Sequence, residues 1–286
     1  MTNSREERIG IIGAGRLGSA LGRALVRAGV AVEFCLDVDG DRASRLASAL
    51  TGCQAIASLD AVTASPTLVL VTVPDRFIAP VMAQLAQSPL NRDGAVFVHC
   101  SGLWPSVVGE WDGPALRASF HPVMLFTGSE RMAFNGVPVA LEGDAAALAR
   151  LEALALRLGA RPLRIESEAK AAYHAACALA SNLWIGLLDA TDEVARSVFP
   201  GQGIGWLLPL IRATLDEVES RGVAPALTGP VVRGDAATVA RHVQALAEGH
   251  PQVLEIYRVL SRRLLDMAQT RGLGPEESDA IRKVLD

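Results

Sequence analysis

Short runs of consecutive apolar and β-branched residues alternate with longer amphipathic stretches from Arg8 to about Ile165. The runs cover residues 9–12, 31–36, 67–73, 95–99, 116–120, 137–141 and 162–165, and most are separated by helical pattern, as in 19–28. Continuous rather than alternating hydrophobicity marks strands covered on both faces, and strand–helix alternation is the signature of a parallel α/β sheet. Past Glu166 the β-type runs stop, and alanine- and leucine-rich helical periodicity continues to the C-terminus. Helices are predicted at 167–199, 204–221, 235–248 and 251–271, punctuated by Pro200-Gly201, Gly222 and Gly249, with a kink expected at Pro209. The predicted organisation is an α/β fold: a doubly wound sheet domain over 1–165 followed by an all-α domain over 166–286. No internal repeat or low-complexity segment interrupts it.

The first strand runs into Gly13-Ala14-Gly15-Arg16-Leu17-Gly18, and an acid, Asp37, closes the second strand. In a strand–turn–helix unit the first glycine permits the tight turn. The second lets backbone N–H groups approach a pyrophosphate, and the third lets helix and strand pack closely. The helix N-terminus offers its positive dipole end to phosphate. This context predicts a Rossmann-type dinucleotide site. A carboxylate at Asp37 accepts hydrogen bonds from the adenosine ribose and repels a 2′-phosphate, which favours NAD over NADP, although Arg16 and Arg42 lie near enough in sequence to meet a phosphate.

Ligands of doubly wound sheets lie across the carboxyl ends of the strands. Those ends carry Val73-Pro74-Asp75, His99-Cys100-Ser101-Gly102 and His121-Pro122. Val73, Pro74, Asp75 and His99 are expected at the cofactor, and Ser101 and Gly102 at a substrate. Each also has a plainer reading: Asp75 as a helix cap, Ser101-Gly102 as a turn, His121 as a packed loop histidine. In the first predicted helix of the second domain, Lys170 and His174 share a face, with Asn182 two turns on. Reduction of a carbonyl or imine carbon leaves an oxygen or nitrogen that a placed proton donor must meet. Lys170 is the candidate donor, with His174 orienting the substrate or tuning the lysine. Further on, the segment 226–235 holds Thr228 and Arg233 as candidate substrate contacts, with Asp235 as the N-cap of the next helix.

Composition narrows the field. The 286 residues are 50% hydrophobic with a formal charge of −4 and no basic run, which argues against a nucleic-acid or anionic-membrane surface and for a small-molecule substrate. Cys35, Cys53, Cys100 and Cys177 are scattered without metal-ligand spacing, so no metal site and a reducing, cytoplasmic setting are expected. Residues 1–8 are polar, unlike a signal peptide. The apolar stretch 169–188 approaches membrane-span length but carries Lys170, His174 and Asn182, with Asp189 at its end, which fits a domain or subunit interface better than lipid.

Taken together, the glycine turn, Val73-Pro74-Asp75, His99-Cys100-Ser101-Gly102, Phe120-His121-Pro122, Lys170 with Tyr173-His174 and Asn182, and Thr228-Gly229-Pro230 through Asp235 resemble the 6-phosphogluconate dehydrogenase-like superfamily. The set is most similar to its branch with a Rossmann-like domain followed by a C-terminal domain of unknown function. Ketopantoate reductase, pyrroline-5-carboxylate reductase and the 3-hydroxyacid dehydrogenases are relatives in that superfamily. The resemblance implies a nicotinamide over the sheet edge, a substrate between the domains and a homodimer formed through the helical domains. In the hydroxyacid dehydrogenases a catalytic lysine opens the interdomain helix with an asparagine one turn later; Lys170 matches, but His174 stands where the asparagine is expected. Many members of the close branch carry a serine-arginine pair where this chain has Asp37-Val38, consistent with NADP in them and NAD here. Three functions follow as alternatives: a ketopantoate-like 2-oxo acid reductase, an imine reductase, or a dinucleotide-sensing module without turnover.

Overall fold

The computed structural model describes residues 7–109, 111–128 and 133–286, which fall into two compact units that divide between Cys177 and Ala178. The first unit is built on one sheet of eight strands: β1 (Arg8–Ile12), β2 (Ala31–Leu36), β3 (Gln54–Ile56), β4 (Leu68–Val71), β5 (Val96–His99), β6 (Leu116–Pro122), β7 (Pro138–Gly143) and β8 (Arg161–Arg164). Their order across the sheet is β3-β2-β1-β4-β5-β6-β7-β8. Helices α1 (Arg16–Arg27), α2 (Gly40–Ser48), α3 (Ile78–Ala86) and α4 (Ala145–Arg157) cover it.

All four residues of β4, Leu-Val-Leu-Val, are buried, as a central parallel strand covered on both faces requires. Leu21 and Leu25 of α1, Leu46 of α2 and Leu151 and Leu154 of α4 pack on one face. Ile78, Met82 and Leu85 of α3 pack on the other. Because the strand order reverses between β1 and β4, α1 and α3 leave opposite faces, and the carboxyl ends of β1 and β4 border the crevice typical of such a reversal.

Strands β1 to β6 are parallel, but β7 runs antiparallel to β6, and β8 is parallel to β7. A parallel return needs a crossover element, usually a helix, and none occurs among the described residues between Pro122 and Pro138. The three-residue strand β3, Gln-Ala-Ile, lies at the sheet edge and is mostly exposed, too short to show as a hydrophobic run.

The helix expected over 167–199 is divided. A 3-10 turn at Ser167–Ala169 leads into α5 (Lys170–Ala180), Ser181 breaks the helical dihedrals, and α6 (Asn182–Val198) follows. The first part of α5 packs with the sheet, so 166–177 belongs to the compact unit that contains the sheet. The second unit continues with α7 (Leu208–Arg221), α8 (Val223–Ala226), α9 (Ala236–Gly249), α10 (Pro251–Thr270) and α11 (Pro275–Leu285). Pro209 lies in the first turn of α7, where the missing N–H costs nothing, and so starts a helix instead of kinking one. Helices α9, α10 and α11 close around Val231, Val239, Leu265, Ile281 and Leu285. The stretch Ser167–Val198 is, by length and composition only, apolar enough to cross a membrane, and its most apolar window has no buried residue.

Candidate active site and cofactor cradle

Gly13 leaves β1 with φ of +102°, a conformation L side chains rarely adopt, and an added Cβ would lie 2.9 Å from the Thr72 carbonyl. Thr72 fixes the turn from β4, its Oγ1 donating to the carbonyls of Gly13 at 2.6 Å and Ile12 at 3.1 Å. A Cβ on Gly18 would strike the Gly13 carbonyl oxygen, so only glycine lets α1 approach β1 this closely. Gly15 differs: a Cβ there meets nothing within 4 Å. The turn is closed toward the protein and open above Gly15, and the N-terminus of α1 receives no side-chain cap. Those are the features a bound pyrophosphate requires, so the residues present fit a dinucleotide.

Asp37, just past β2, braces the turn. Its Oδ2 accepts from the Ala14 N–H at 2.6 Å and its Oδ1 from the Asp39 N–H at 2.9 Å. Arg42 is paired with Asp39 at 3.0 Å, and Arg16 is exposed beside the turn.

At the ends of β4 and β5, Asp75 caps nothing. Its Oδ2 instead accepts from Ser101 Oγ at 2.8 Å, and Ser101 Oγ in turn accepts from the N–H groups of Leu103 and Trp104, both at 3.1 Å. The Ser101 hydroxyl is thus occupied in its own turn. His99 is fully buried: its Nε2 pairs with the Pro105 carbonyl at 2.9 Å, and its Nδ1 accepts from the Ser101 N–H at 3.2 Å. Burial, opposed by the Pro105 bond, lowers its pKa and keeps it neutral. Its side chain therefore shapes the Ser101 turn from beneath and presents no free nitrogen to a cofactor.

Lys170 lies deeper than a solvated helix start would. It is 2% exposed, with Nζ 2.7 Å from Ser119 Oγ, 3.2 Å from the Ser101 carbonyl and 3.8 Å from Glu142 Oε2. Glu142, at the end of β7, also accepts from the Ser106 N–H at 2.6 Å, Ser106 Oγ at 2.8 Å and Ser167 Oγ at 2.7 Å. Burial opposes the charge on Glu142, but those bonds and the ammonium outweigh it and hold the carboxyl below its usual range. Burial also pulls the Lys170 ammonium below an ordinary lysine, against the attraction of Glu142 and Asp75. A buried ion pair survives only when its lone pairs and protons are matched in this way.

Beside this nest, His121 Nδ1 lies 2.6 Å from the Tyr173 hydroxyl, with the rings edge to face. The His174 ring lies 6.3 Å away. Gly102 makes room for His121, since a Cβ there would fall 2.8 Å from the imidazole Cε1. Of the residues read from sequence, the first unit brings Asp75, His99, Ser101, Gly102, Lys170 and His174 together at one strand edge. Asn182, Thr228 and Arg233 are exposed residues of the second unit. There Asp235 does cap α9, accepting from the Thr238 N–H at 3.0 Å. Among the described residues no group of three or more His, Cys, Asp or Glu side chains is arranged to hold a metal. Glu142, Ser119, Ser106 and Ser167 are the site residues that sequence reasoning missed. The acid ending the apolar run 137–141 was the one available signal.

Two families match consecutive parts of the chain: a Rossmann-like domain over residues 2–108 and a domain of unknown function, DUF2520, over 137–264. No curated protein matches it. Among solved structures, the chain is similar to BF3122 from Bacteroides fragilis, a protein provisionally described as an NADP oxidoreductase. The identity is 25% and the TM-score 0.75, covering 91% of this chain and 98% of that one. Protein TM1727 from Thermotoga maritima is 27% identical with a TM-score of 0.74, over 92% and 99%. A reductive aminase from Aspergillus terreus, 20% identical with a TM-score of 0.61 over 98% and 99%, shares the fold. The chain is thus similar to a Rossmann-like domain in its first part and to DUF2520 in a later part.

Proposed function

We propose that this protein is an NAD(P)-dependent oxidoreductase that reduces a small carbonyl acid, such as a ketopantoate-like 2-oxo acid. The observation that carries the reading is the cradle at Gly13–Gly18, shut against β1 and β4 but open above Gly15, with Asp37 closing β2 beside it. The description of BF3122 as an NADP oxidoreductase supports the cofactor class. A bound nicotinamide cofactor supplies the hydride. The chain's own part is to hold the adenosine ribose at Asp37, to receive the pyrophosphate at the N-terminus of α1, and to present a polar edge where charge develops. The carboxylate of Asp37 favours NAD over NADP.

With its amine held by Ser119, the Ser101 carbonyl and Glu142, Lys170 acts through the turn it anchors and through its positive field. An imine substrate is the second reading, favoured by the same occupied amine, because an imine can bring its own proton to the reaction. The exposed apolar residues Leu179, Leu183 and Ile185, at 61–63% of full exposure, suit a second copy of the chain, giving a homodimer.

A panel of 2-oxo acids and cyclic imines, followed by NADH and NADPH oxidation, tests the reading. Lys170→Met should lower kcat, by less than the roughly 10²–10⁴ that loss of a proton donor costs, with cofactor affinity nearly unchanged. Tight cofactor binding without turnover of any compound would move the protein to a sensing role.

A further inference from the structure

His121 and His99 end neighbouring parallel strands, yet their nitrogens are used differently. Both nitrogens of His99 are consumed by its own loop. His121 gives Nδ1 to Tyr173, and its Nε2 has no hydrogen-bond partner among the described residues. Because β6 is parallel to β1 through β5, His121 lies at the same carboxyl edge as the glycine turn, Asp37 and Asp75. Its ring is seated against the bare backbone of Gly102, which fixes its position.

The protonation states follow from the surroundings. Burial first, then electrostatic opposition from the His174 and Lys170 side, holds His121 down to about 4 against the pull of Asp75, so the ring is neutral near pH 7. Burial pushes the Tyr173 phenol up, so it keeps its proton. An imidazole nitrogen is a far better acceptor than the thiol of Cys177, the phenol's other neighbour. The Tyr173 O–H therefore donates to Nδ1, which places the single ring proton on Nε2.

We propose that His121 Nε2–H is the proton donor of the reduction and that Tyr173 is the positioning residue that holds the ring in the donating tautomer. The proposal rests on the reductase reading above. A bound nicotinamide cofactor would supply the hydride that the substrate carbon gains, and would itself be oxidised. The Nε2–H bond breaks as a product O–H or N–H bond forms, and Nδ1 takes the Tyr173 proton. The resulting phenolate recovers a proton from water.

The test joins a tautomer measurement to turnover. In ¹⁵N-histidine NMR of the full chain, His121 should show the Nε2–H tautomer and stay neutral down to about pH 4. Tyr173→Phe should abolish that tautomer preference and lower kcat. His121→Asn should lower kcat by roughly 10²–10⁴, while calorimetry shows unchanged NADH and NADPH affinity. An Nδ1–H tautomer in the wild type, or full kcat in His121→Asn, overturns the donor role and leaves the reductase reading standing. A wild type that binds the cofactor but reduces no member of the 2-oxo acid and cyclic imine panel removes both together. Should His121→Asn fail to fold, Tyr173→Phe decides: wild-type tautomer and kcat there overturn the proposal.

Discussion

At the β1–β2–β4 end of the sheet edge the chemistry is carried by uncovered backbone, whereas at the β5–β7 end it is carried by side chains packed out of solvent. Gly15 has open space above it. Lys170 and Glu142 are 2% and 4% exposed, and their polar atoms are taken up by serines and a carbonyl. An open backbone cradle adds little to stability and gives its binding energy to a ligand. A closed ionic nest is different, because losing one partner strands the other charge in low dielectric. Substitutions at the first end should therefore change affinity with the fold intact, and substitutions at the second should change stability.

The largest effect is expected from Glu142→Ala, which leaves the Lys170 ammonium without its counter-charge. Denaturant unfolding should show a loss of about 3–5 kcal/mol, with NADH affinity in the folded protein nearly unchanged. A loss under about 1 kcal/mol would mean the nest is wetter than its burial indicates. Because the Glu142 carboxyl is held low, its contribution is fully present above the ordinary carboxylate range and disappears as pH falls through its depressed value.

Next in size is the pH dependence due to His121. With its native value near 4 and an unfolded value near 6.5, the unfolded chain takes up the proton first, so stability should fall as pH drops from about 6.5 toward 4. The loss is about 2–3 kcal/mol. His121→Asn should flatten that part of the stability curve, and an unchanged slope would show the ring to be hydrated.

At the open end, Asp37→Ser should shift the balance between NADH and NADPH by about 1–3 kcal/mol toward NADPH, as measured by calorimetry. No shift would hand the discrimination to Arg16. In the second unit, Asp235→Ala removes the cap of α9 and should cost about 1 kcal/mol in thermal unfolding without altering cofactor affinity.

The contrast between the two ends also explains what the sequence revealed. The glycine turn was legible because its constraints are local: Gly13, Gly18 and Asp37 act within one strand–helix–strand unit. The closed end is assembled from residues far apart in the chain. Asp75 reads as a cap until Ser101, 26 positions on, is seen to donate to it. Tyr173 reaches His121 across 52 positions and Lys170 reaches Ser119 across 51, and helical periodicity does not report which strand a helix face will meet. The break at Ser181 has no glycine or proline to announce it. Helix α11 lies beyond the last helix predicted, at 251–271, although it carries local signals: Pro275 at the start, Glu276 and Glu277 in the first turn, Arg282 and Lys283 in the last. The reversal of β7 could not be read from hydrophobic runs, which look alike in parallel and antiparallel strands buried on both faces.

The most direct test of a dinucleotide site in the open cradle is calorimetric titration of NADH and NADPH into the wild type and Gly15→Val. The new side chain meets nothing in the protein but stands where a pyrophosphate must lie. The wild type should bind, and the variant should keep its melting temperature while losing affinity by about 100-fold or more, the equivalent of about 2.7 kcal/mol. Equal affinity in a folded Gly15→Val protein, or no binding by the wild type, would contradict the account.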